Sequence, residues 1–183
     1  MIPEPCVATI GFFDGVHMGH RYLIQQVKEI AAAKGLRSAL VTFPVHPRKV
    51  MNAAYHPELL TTPEEKTNLL AGTGVDYCLM LDFTPDISRL TAKEFMTQIL
   101  KERFQVKYLV IGYDHRFGHN RSEGFDDYVR YGQAIGIEVI RAQAYTDDIQ
   151  IDTIQSAPVS SSLIRKLLHQ GDVDAVSYTH LTL

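Results

Sequence analysis

Hydrophobic positions along this chain follow two alternating patterns: short continuous apolar runs, and longer segments with apolar residues at helical spacing. In the first long segment, for example, Leu23, Ile24, Val27 and Ile30 fall on one helix face. The patterns predict strands at residues 6–12, 38–43, 75–82, 107–112 and 137–142, and helices at residues 20–34, 62–71, 91–103, 123–135 and 160–170.

Local signals support these boundaries. Thr62–Glu65 and Thr91–Glu94 are capping boxes, in which a threonine and a glutamate three residues later satisfy the first N–H groups of a helix. Gly35 is predicted to end the first helix and Pro44 the second strand.

Strand and helix alternate along most of the chain, which predicts an α/β fold: a Rossmann-like, doubly wound parallel sheet covered on both faces. A chain of 183 residues suits one such domain. In these sheets ligands bind beyond the carboxyl ends of the strands. The loops that follow strands are therefore the places to search for chemistry.

Composition narrows the class of protein. The chain is 45% hydrophobic and 21% charged, with a net charge of −3 and a pI near 6.2, so no general basic field favours nucleic acid or anionic membranes. No secretory signal and no apolar run of about 20 residues is evident, so we expect a soluble, cytoplasmic protein. We expect Cys6 and Cys78, which lie in apolar runs, to be buried core thiols.

The loop after the first strand, Gly11–His20, is typical of an anion site. Its glycines allow close backbone approach, and the helix that follows directs its N–H groups and dipole at the loop. His17 and His20 lie three residues apart, so one face of the helix start can carry both rings. The glycine spacing fits neither a dinucleotide fingerprint nor a Walker loop. The alternative interpretation is a pair of surface or capping histidines.

Three further segments carry candidate chemistry. Thr42–Pro47 is a proline-stiffened loop that offers the flat rings of Phe43 and His46. Gly112–Arg121 follows another strand. Ser160–Arg165 sets three hydroxyls and a permanent cation at a helix start, where phosphate oxygens could be bound. Alone, each segment also fits an ordinary proline-rich loop, charged loop or capped helix.

Together these segments resemble one family. His17–His20 resembles the H-x-G-H signature of the nucleotidyltransferase superfamily, and Gly11–His17 is similar to the N-terminal domain of bacterial bifunctional riboflavin kinase/FAD synthetases. The other resemblances are Thr42–Pro47 to the family's T-F-x-P-H-P element, Leu60–Lys66 to L-T-x-x-E-K, Gly112–Gly118 to G-x-D-F-x-F-G, and Val159–Arg165 to I-S-S-T-x-I-R. His115 stands where the family pattern has phenylalanine.

The resemblance implies a nucleotidyltransferase that moves AMP from ATP to FMN, giving FAD and pyrophosphate, with Mg²⁺ accompanying ATP. The implied catalytic residues are His17, His20, Ser161 and Arg165. The implied ATP-binding residues are Gly11, Phe12, Asp14, Gly15, His17, His20, Ser160, Ser161, Ser162 and Arg165. The implied flavin-binding residues are Phe43, Pro44, His46, Pro47, Asp114, Arg116 and Phe117. No dedicated protein site for a metal is expected.

The resemblance supports an adenylyltransferase domain at residues 1–176. Residues 177–183 do not continue the family pattern and are interpreted as a truncation or junction scar. We expect small-molecule partners, no nucleic acid and no membrane, with a riboflavin kinase domain following in the full-length protein. Two alternatives stay open: an adenylyl- or cytidylyltransferase for another phosphate-bearing substrate, and an inactive fragment that binds flavin or nucleotide.

Overall fold

The computed structural model describes residues 4–112, 115–145 and 159–178 of the chain. Within them lies a five-stranded, wholly parallel sheet with the strand order β3-β2-β1-β4-β5. The strands are β1 (Cys6–Ile10), β2 (Arg37–Thr42), β3 (Tyr77–Met80), β4 (Val106–Ile111) and β5 (Glu138–Arg141). The predicted α/β class and parallel sheet are confirmed.

Helices connect successive strands, and two more follow the last strand. They are α1 (Met18–Lys34), α2 (Pro47–Met51), α3 (Pro63–Ala71), α4 (Pro85–Arg89), α5 (Ala92–Phe95), α6 (Phe125–Ile135), α7 (Ser161–His169) and α8 (Val173–Tyr178). A π-helix, Met96–Arg103, continues α5, and His119–Arg121 form a short 3₁₀ turn. Among the described residues, no helix is long and apolar enough to cross a membrane.

The central strand explains why both faces of the sheet are covered. Every residue of β1 is buried, and successive side chains point to opposite faces. Cys6, Ala8 and Ile10 pack in the core beneath α5 and α6, whereas Val7 packs against α1 through Val27. A strand buried on both faces reads as a continuous apolar run, which is the pattern that predicted it.

Most predicted elements are present, with boundaries that shift by a few residues. Helix α1 begins at Met18 instead of residue 20 because the side chain of His17 accepts a hydrogen bond as its N-cap. Helices α2, α4 and α8 were not predicted, since five or six residues are too few to show helical periodicity. Helix α8 also extends to Tyr178, into the segment interpreted as a scar.

One prediction about the core is wrong. Cys6 is buried as expected, and burial raises the pKa of its thiol to about 12. Cys78, however, is exposed. It lies in β3, which occupies an edge of the sheet and alternates between half-buried and exposed residues. An apolar run does not distinguish such an edge strand from a central one.

The strand order fixes where a ligand would bind. Helix α1 leaves β1 toward β2 on one side, while β4 lies on the other side of β1. This reversal of strand order opens a crevice at the carboxyl ends of β1 and β4. The loops that begin at Gly11 and Gly112 leave these two strands at that edge.

Candidate functional site

A cleft of about 390 Å³ opens at the carboxyl edge of the sheet. It is lined by segments from six parts of the chain: the loop after β1, the start of α1, the loop after β2, the end of β4, the end of β5, and the start of α7. The lining residues include Gly11, Phe12, Asp14, His17, His20, His46, Gly112, His115, Ala142, Gln143, Ala144, Tyr145, Val159, Ser160, Ser161 and Arg165.

The loop after β1 has a strained, buried backbone. Phe13 and Val16 have φ angles of 56° and 39°, which side-chain-bearing residues rarely adopt, and both side chains are buried. At Gly15 φ is 80°, and a Cβ there would lie 2.8 Å from Leu60 Cδ1. Such strain persists only where the surrounding packing imposes it, and it is concentrated at functional sites.

His17 and His20 form the pair that the three-residue spacing predicted. Their rings are stacked, with centroids 3.6 Å apart and planes inclined by 16°. His17 Nδ1 accepts a hydrogen bond from the backbone N–H of His20 at 3.3 Å. Because Nδ1 is an acceptor, the neutral His17 ring carries its proton on Nε2, where it can be donated to an anionic oxygen.

Gly19 lets the serine-rich segment approach this pair. A Cβ on Gly19 would lie 3.1 Å from the carbonyl oxygen of Val159 and 3.1 Å from the His17 ring. Val159 is followed by Ser160, whose hydroxyl caps α7 by accepting the N–H of Leu163 at 3.2 Å. The N-termini of α1 and α7 thus meet at one point of the cleft, and each favours an anion there.

Asp14 connects three segments through a buried carboxylate. It accepts hydrogen bonds from the backbone N–H groups of Leu60 and Thr61 at 2.9–3.2 Å. It also forms an ion pair with Arg165, in which Nη2 lies 2.7 Å from Oδ2. The Asp14 carbonyl accepts the hydroxyl of Ser161 at 2.9 Å. Arg165 Nε also donates to the carbonyl of Glu58 at 2.6 Å. These contacts hold the start of α7 against the loop after β1.

Lys66 connects the loop after β1 to the loop after β2. Lys66 is only 2% exposed, and its Nζ donates to the carbonyls of Phe12 at 3.1 Å and Phe43 at 2.8 Å. Nζ also lies 3.7 Å from the centre of the Phe12 ring, a cation–π contact. Burial lowers the pKa of this ammonium to about 8.

The loop after β2 divides the predicted flavin residues. His46 lines the cleft, and its ring meets the Phe12 ring edge-on at 4.8 Å. Burial, followed by the charge of Arg48, lowers the pKa of His46, so its ring is neutral at pH 7. Pro44 and Pro47 are half-buried. Phe43 instead packs in the core against Phe83, so its ring does not form the cleft wall.

The loop after β4 shows the same division. His115 lines the cleft, and Arg116 is exposed beside it. Phe117 is buried, and its ring stacks on Tyr128 with centroids 4.3 Å apart. Phe117 therefore anchors the loop from the core, whereas the residue that departs from the family pattern, His115, faces the cleft. Asp114 lies outside the described residues.

Most predicted ATP-binding residues come together in this cleft, and two stand apart. Gly15 turns the loop but does not line the cleft, and Ser162 is exposed on the outer side of α7. Sequence reasoning did not assign Gln143 and Tyr145, which also line the cleft, or Thr61 and Lys66, which contact cleft residues from behind. For Lys66 a signal existed, since it lies four residues before buried Leu70 on one helix face.

The described residues contain no group of three or more His, Cys, Asp or Glu side chains that could hold a metal ion. Both oxygens of Asp14 already accept hydrogen bonds from the protein. Asp14 is therefore poorly suited to bind a cation directly.

Comparison with known proteins gives a consistent result. A sequence model of the FAD synthetase family matches residues 1–158. Proteins named bifunctional riboflavin kinase/FMN adenylyltransferase are 33% identical in Escherichia coli K12 (90% of this chain, 50% of the relative) and 33% identical in Listeria monocytogenes (92% and 51%). The one from Pseudomonas fluorescens is 34% identical (92% and 52%).

A crystal structure described as a macrolide-efflux protein from Streptococcus pneumoniae superposes with a TM-score of 0.82 and 27% identity, over 98% of this chain and 56% of that one. The chain spans about half the length of the curated relatives that it matches. The match of the family model over most of the chain, on a fold whose cleft gathers the expected motifs, shows that this chain belongs to the FAD synthetase family.

Proposed function

We propose that this chain transfers the AMP group of ATP to FMN, giving FAD and pyrophosphate. One observation carries the proposal. A stacked histidine pair, the N-termini of two helices and an arginine converge on one cleft, which is also lined by the half-buried rings of Phe12 and His46. The first group suits a polyphosphate and the second suits a planar ring.

The reaction needs positioning and charge stabilisation more than covalent chemistry. An oxygen of the FMN phosphate forms a bond to the α-phosphorus of ATP, and the bond from that phosphorus to the bridging β-phosphate oxygen breaks. The electron pair leaves with pyrophosphate. The incoming phosphate is already a nucleophile, so the proposal requires no nucleophilic side chain.

In this proposal the two helix N-termini and the histidine pair stabilise the negative charge that moves onto the phosphate oxygens. His17 would donate from Nε2, since its Nδ1 is occupied by the helix cap. His20, stacked on it, would contact the same phosphate group from one helical turn further along.

Arg165 and Ser161 would hold the departing pyrophosphate. The bonds from Arg165 to Asp14 and to the Glu58 carbonyl use two of the five N–H donors on the guanidinium. The remaining donors can contact phosphate without breaking this anchor, so the cation is positioned before the substrate arrives. Such preorganisation avoids a reorganisation cost in the reaction.

The aromatic end of the cleft would receive FMN. Phe12 and the neutral ring of His46 offer apolar edges, and Pro44 and Pro47 limit the motion of the loop that carries His46. Exposed Arg116 could bind the FMN phosphate. Flavin roles for Phe43, Phe117 and Asp114 stay predictions, with the first two supporting the loops from the core.

We propose that Mg²⁺ enters as part of the nucleotide substrate, bound by phosphate oxygens and water. The saturated carboxylate of Asp14 supports this assignment over direct binding by the protein. We further propose that the domain ends near residue 176, that the protein acts in the cytoplasm, and that a riboflavin kinase domain follows in the full-length protein. The half-length match to relatives named for both activities supports that last proposal.

One incubation tests the central proposal. The 183-residue chain is mixed with ATP, Mg²⁺ and either FMN or riboflavin, and the flavins are separated by chromatography. FAD from FMN and no FMN from riboflavin is the expected result. If FMN is bound but no FAD forms, the chain is an inactive fragment. If no flavin is bound, the substrate is another phosphate-bearing molecule.

A further inference from the structure

The wall of the cleft opposite the loop after β2 is hydrogen-bonded to helix α1 through the side chain of one glutamine. The wall is the segment Ala142–Tyr145, which follows β5 and lines the cleft. Gln26 Oε1 accepts the backbone N–H of Gln143 at 2.8 Å, and Gln26 Nε2 donates to the Gln143 carbonyl at 3.1 Å. The side-chain amide therefore pairs with both backbone groups of one residue, as a neighbouring strand would.

Further contacts from α1 reach the same segment. The hydroxyl of Tyr22 donates to Oε1 of Gln143 at 3.1 Å, and the rings of Tyr22 and Tyr145 lie 5.6 Å apart. The hydroxyl of Tyr145 lies 3.8 Å from the sulfur of Met18. Backbone pairing of β5 with β4 ends at Arg141, and Ala142 makes one more bond, to Ile111. Beyond Ala142, α1 supplies the contacts that the sheet no longer provides.

The position of this wall relates it to one substrate. Under the proposed function, phosphates lie at the centre of the cleft, by His17 and Ser160, and flavin lies toward Phe12 and His46. The opposite side, where Gly112 and the wall meet, is left for the nucleoside of ATP. Backbone groups that are held in a fixed position can form hydrogen bonds with the edge of a planar base.

We propose that Gln26 is a positioning residue for ATP: it touches no substrate in this arrangement and fixes the wall that receives the nucleoside. The inference rests on the proposed function for the identity of the substrate. It predicts that loss of the Gln26 amide weakens the binding of ATP without weakening the binding of FMN. A general loss of protein stability would weaken the binding of both substrates.

The test compares Gln26→Met with Gln25→Met. Methionine has nearly the length of glutamine and removes both hydrogen bonds to Gln143, together with a longer one from Gln26 Nε2 to the Tyr22 carbonyl within the helix. Gln25, the neighbouring residue, is exposed and bonds only within its own helix to Glu29 among the contacts described, so it is a matched control. Binding of ATP and of FMN is measured separately by calorimetry, and steady-state FAD formation gives the KM for ATP and kcat.

We expect Gln26→Met to raise the Kd and KM for ATP about five- to tenfold, which corresponds to the loss of one or two neutral hydrogen bonds. The Kd for FMN should change less than about twofold, and so should every constant of Gln25→Met. Tyr22→Phe, which removes one hydroxyl contact and keeps the ring, should give a smaller effect in the same direction.

A structural measurement gives an independent result. The backbone amide of Gln143 should exchange with deuterium faster in Gln26→Met than in the control, because its acceptor is gone. Equal ATP affinity in the two variants, or equal losses for ATP and FMN, would overturn the inference. A wild-type chain that binds ATP and makes no FAD would overturn the proposed function alone, whereas one that binds no ATP would overturn both.

Discussion

The loop after β1 and the loop after β4 leave adjacent strands and meet at one cleft, yet they are stabilised differently. In the first, polar groups are paired inside the protein: Asp14 accepts from two backbone amides and Arg165, and His17 caps a helix. In the second, Phe117 packs in the core, half-buried His115 faces the cleft and Arg116 is exposed.

Under the proposed function, this difference corresponds to two tasks. Charge stabilisation in a reaction needs donors that are already oriented, and internal hydrogen bonds together with a strained, buried backbone supply that orientation. Substrate binding needs side chains that remain accessible in the cleft, on a loop that the core holds in place. Substitutions in the first loop should therefore act on turnover and stability together, while those at His115 and Arg116 in the second should act mainly on substrate binding.

The largest expected effect tests the chemistry assigned to the first loop. His20→Ala should lower turnover by about 10²–10³, the usual cost of losing one transition-state donor, while circular dichroism shows an intact fold. His119→Ala is the control, because that histidine is exposed and does not line the cleft. Near-wild-type turnover in folded His20→Ala would remove His20 from the mechanism.

The next effect tests whether Asp14 organises the loop. Asp14→Ala should lower the free energy of unfolding by about 3 kcal/mol, because Arg165 and the amides of Leu60 and Thr61 lose a buried acceptor. Urea denaturation measures this, with exposed Asp126→Ala as control. A loss below about 1 kcal/mol would show that the carboxylate is not structural. Arg165→Ala should likewise cost stability as well as turnover.

Lys66 offers a pH-dependent test of the link between the first two strands. Its pKa is about 8 in the folded protein and near 10.5 in the unfolded chain, so the unfolded state binds more protons between these values. This residue should therefore make stability rise with pH from about 8 to about 10.5, by on the order of 2 kcal/mol.

The measurement is urea unfolding of wild type and Lys66→Met at pH 8 and pH 10. The wild type should gain stability relative to the variant as pH increases. The raised pKa of Cys6 acts in the opposite direction above about pH 9, but it is common to both proteins and cancels in the comparison. Parallel pH profiles would contradict a lowered pKa for buried Lys66.

The smallest effect separates adjacent serines. Ser161→Ala should lower kcat/KM for ATP by up to about tenfold, since the hydroxyl lines the cleft and donates to the Asp14 carbonyl. Ser162→Ala should change it less than about twofold because Ser162 is exposed away from the cleft. Similar losses in both would mean that the whole serine run contacts ATP, as the sequence predicted.

Sequence reasoning predicted the position of the cleft better than it predicted which side chains line it. Periodicity gave the alternation of strands and helices, and the rule that ligands bind beyond strand ends directed attention to the loops that form the cleft. It could not separate Phe43 and Phe117, which are in the core, from Phe12 and His46, which line the cleft, because an aromatic residue in a loop has the same letter in either orientation.

The sequence by itself determined the α/β class, the pairing of His17 with His20 through helical spacing, and the motifs that resemble the FAD synthetase family. These depend on local geometry, which spacing along the chain specifies. Only the tertiary structure decided that Arg165 is held by Asp14, that Lys66 joins two strand ends, and that Gln26 fastens the opposite wall. Those partners lie 23 to 151 residues apart, and no local pattern encodes which distant groups the packing of the sheet will bring within hydrogen-bonding distance.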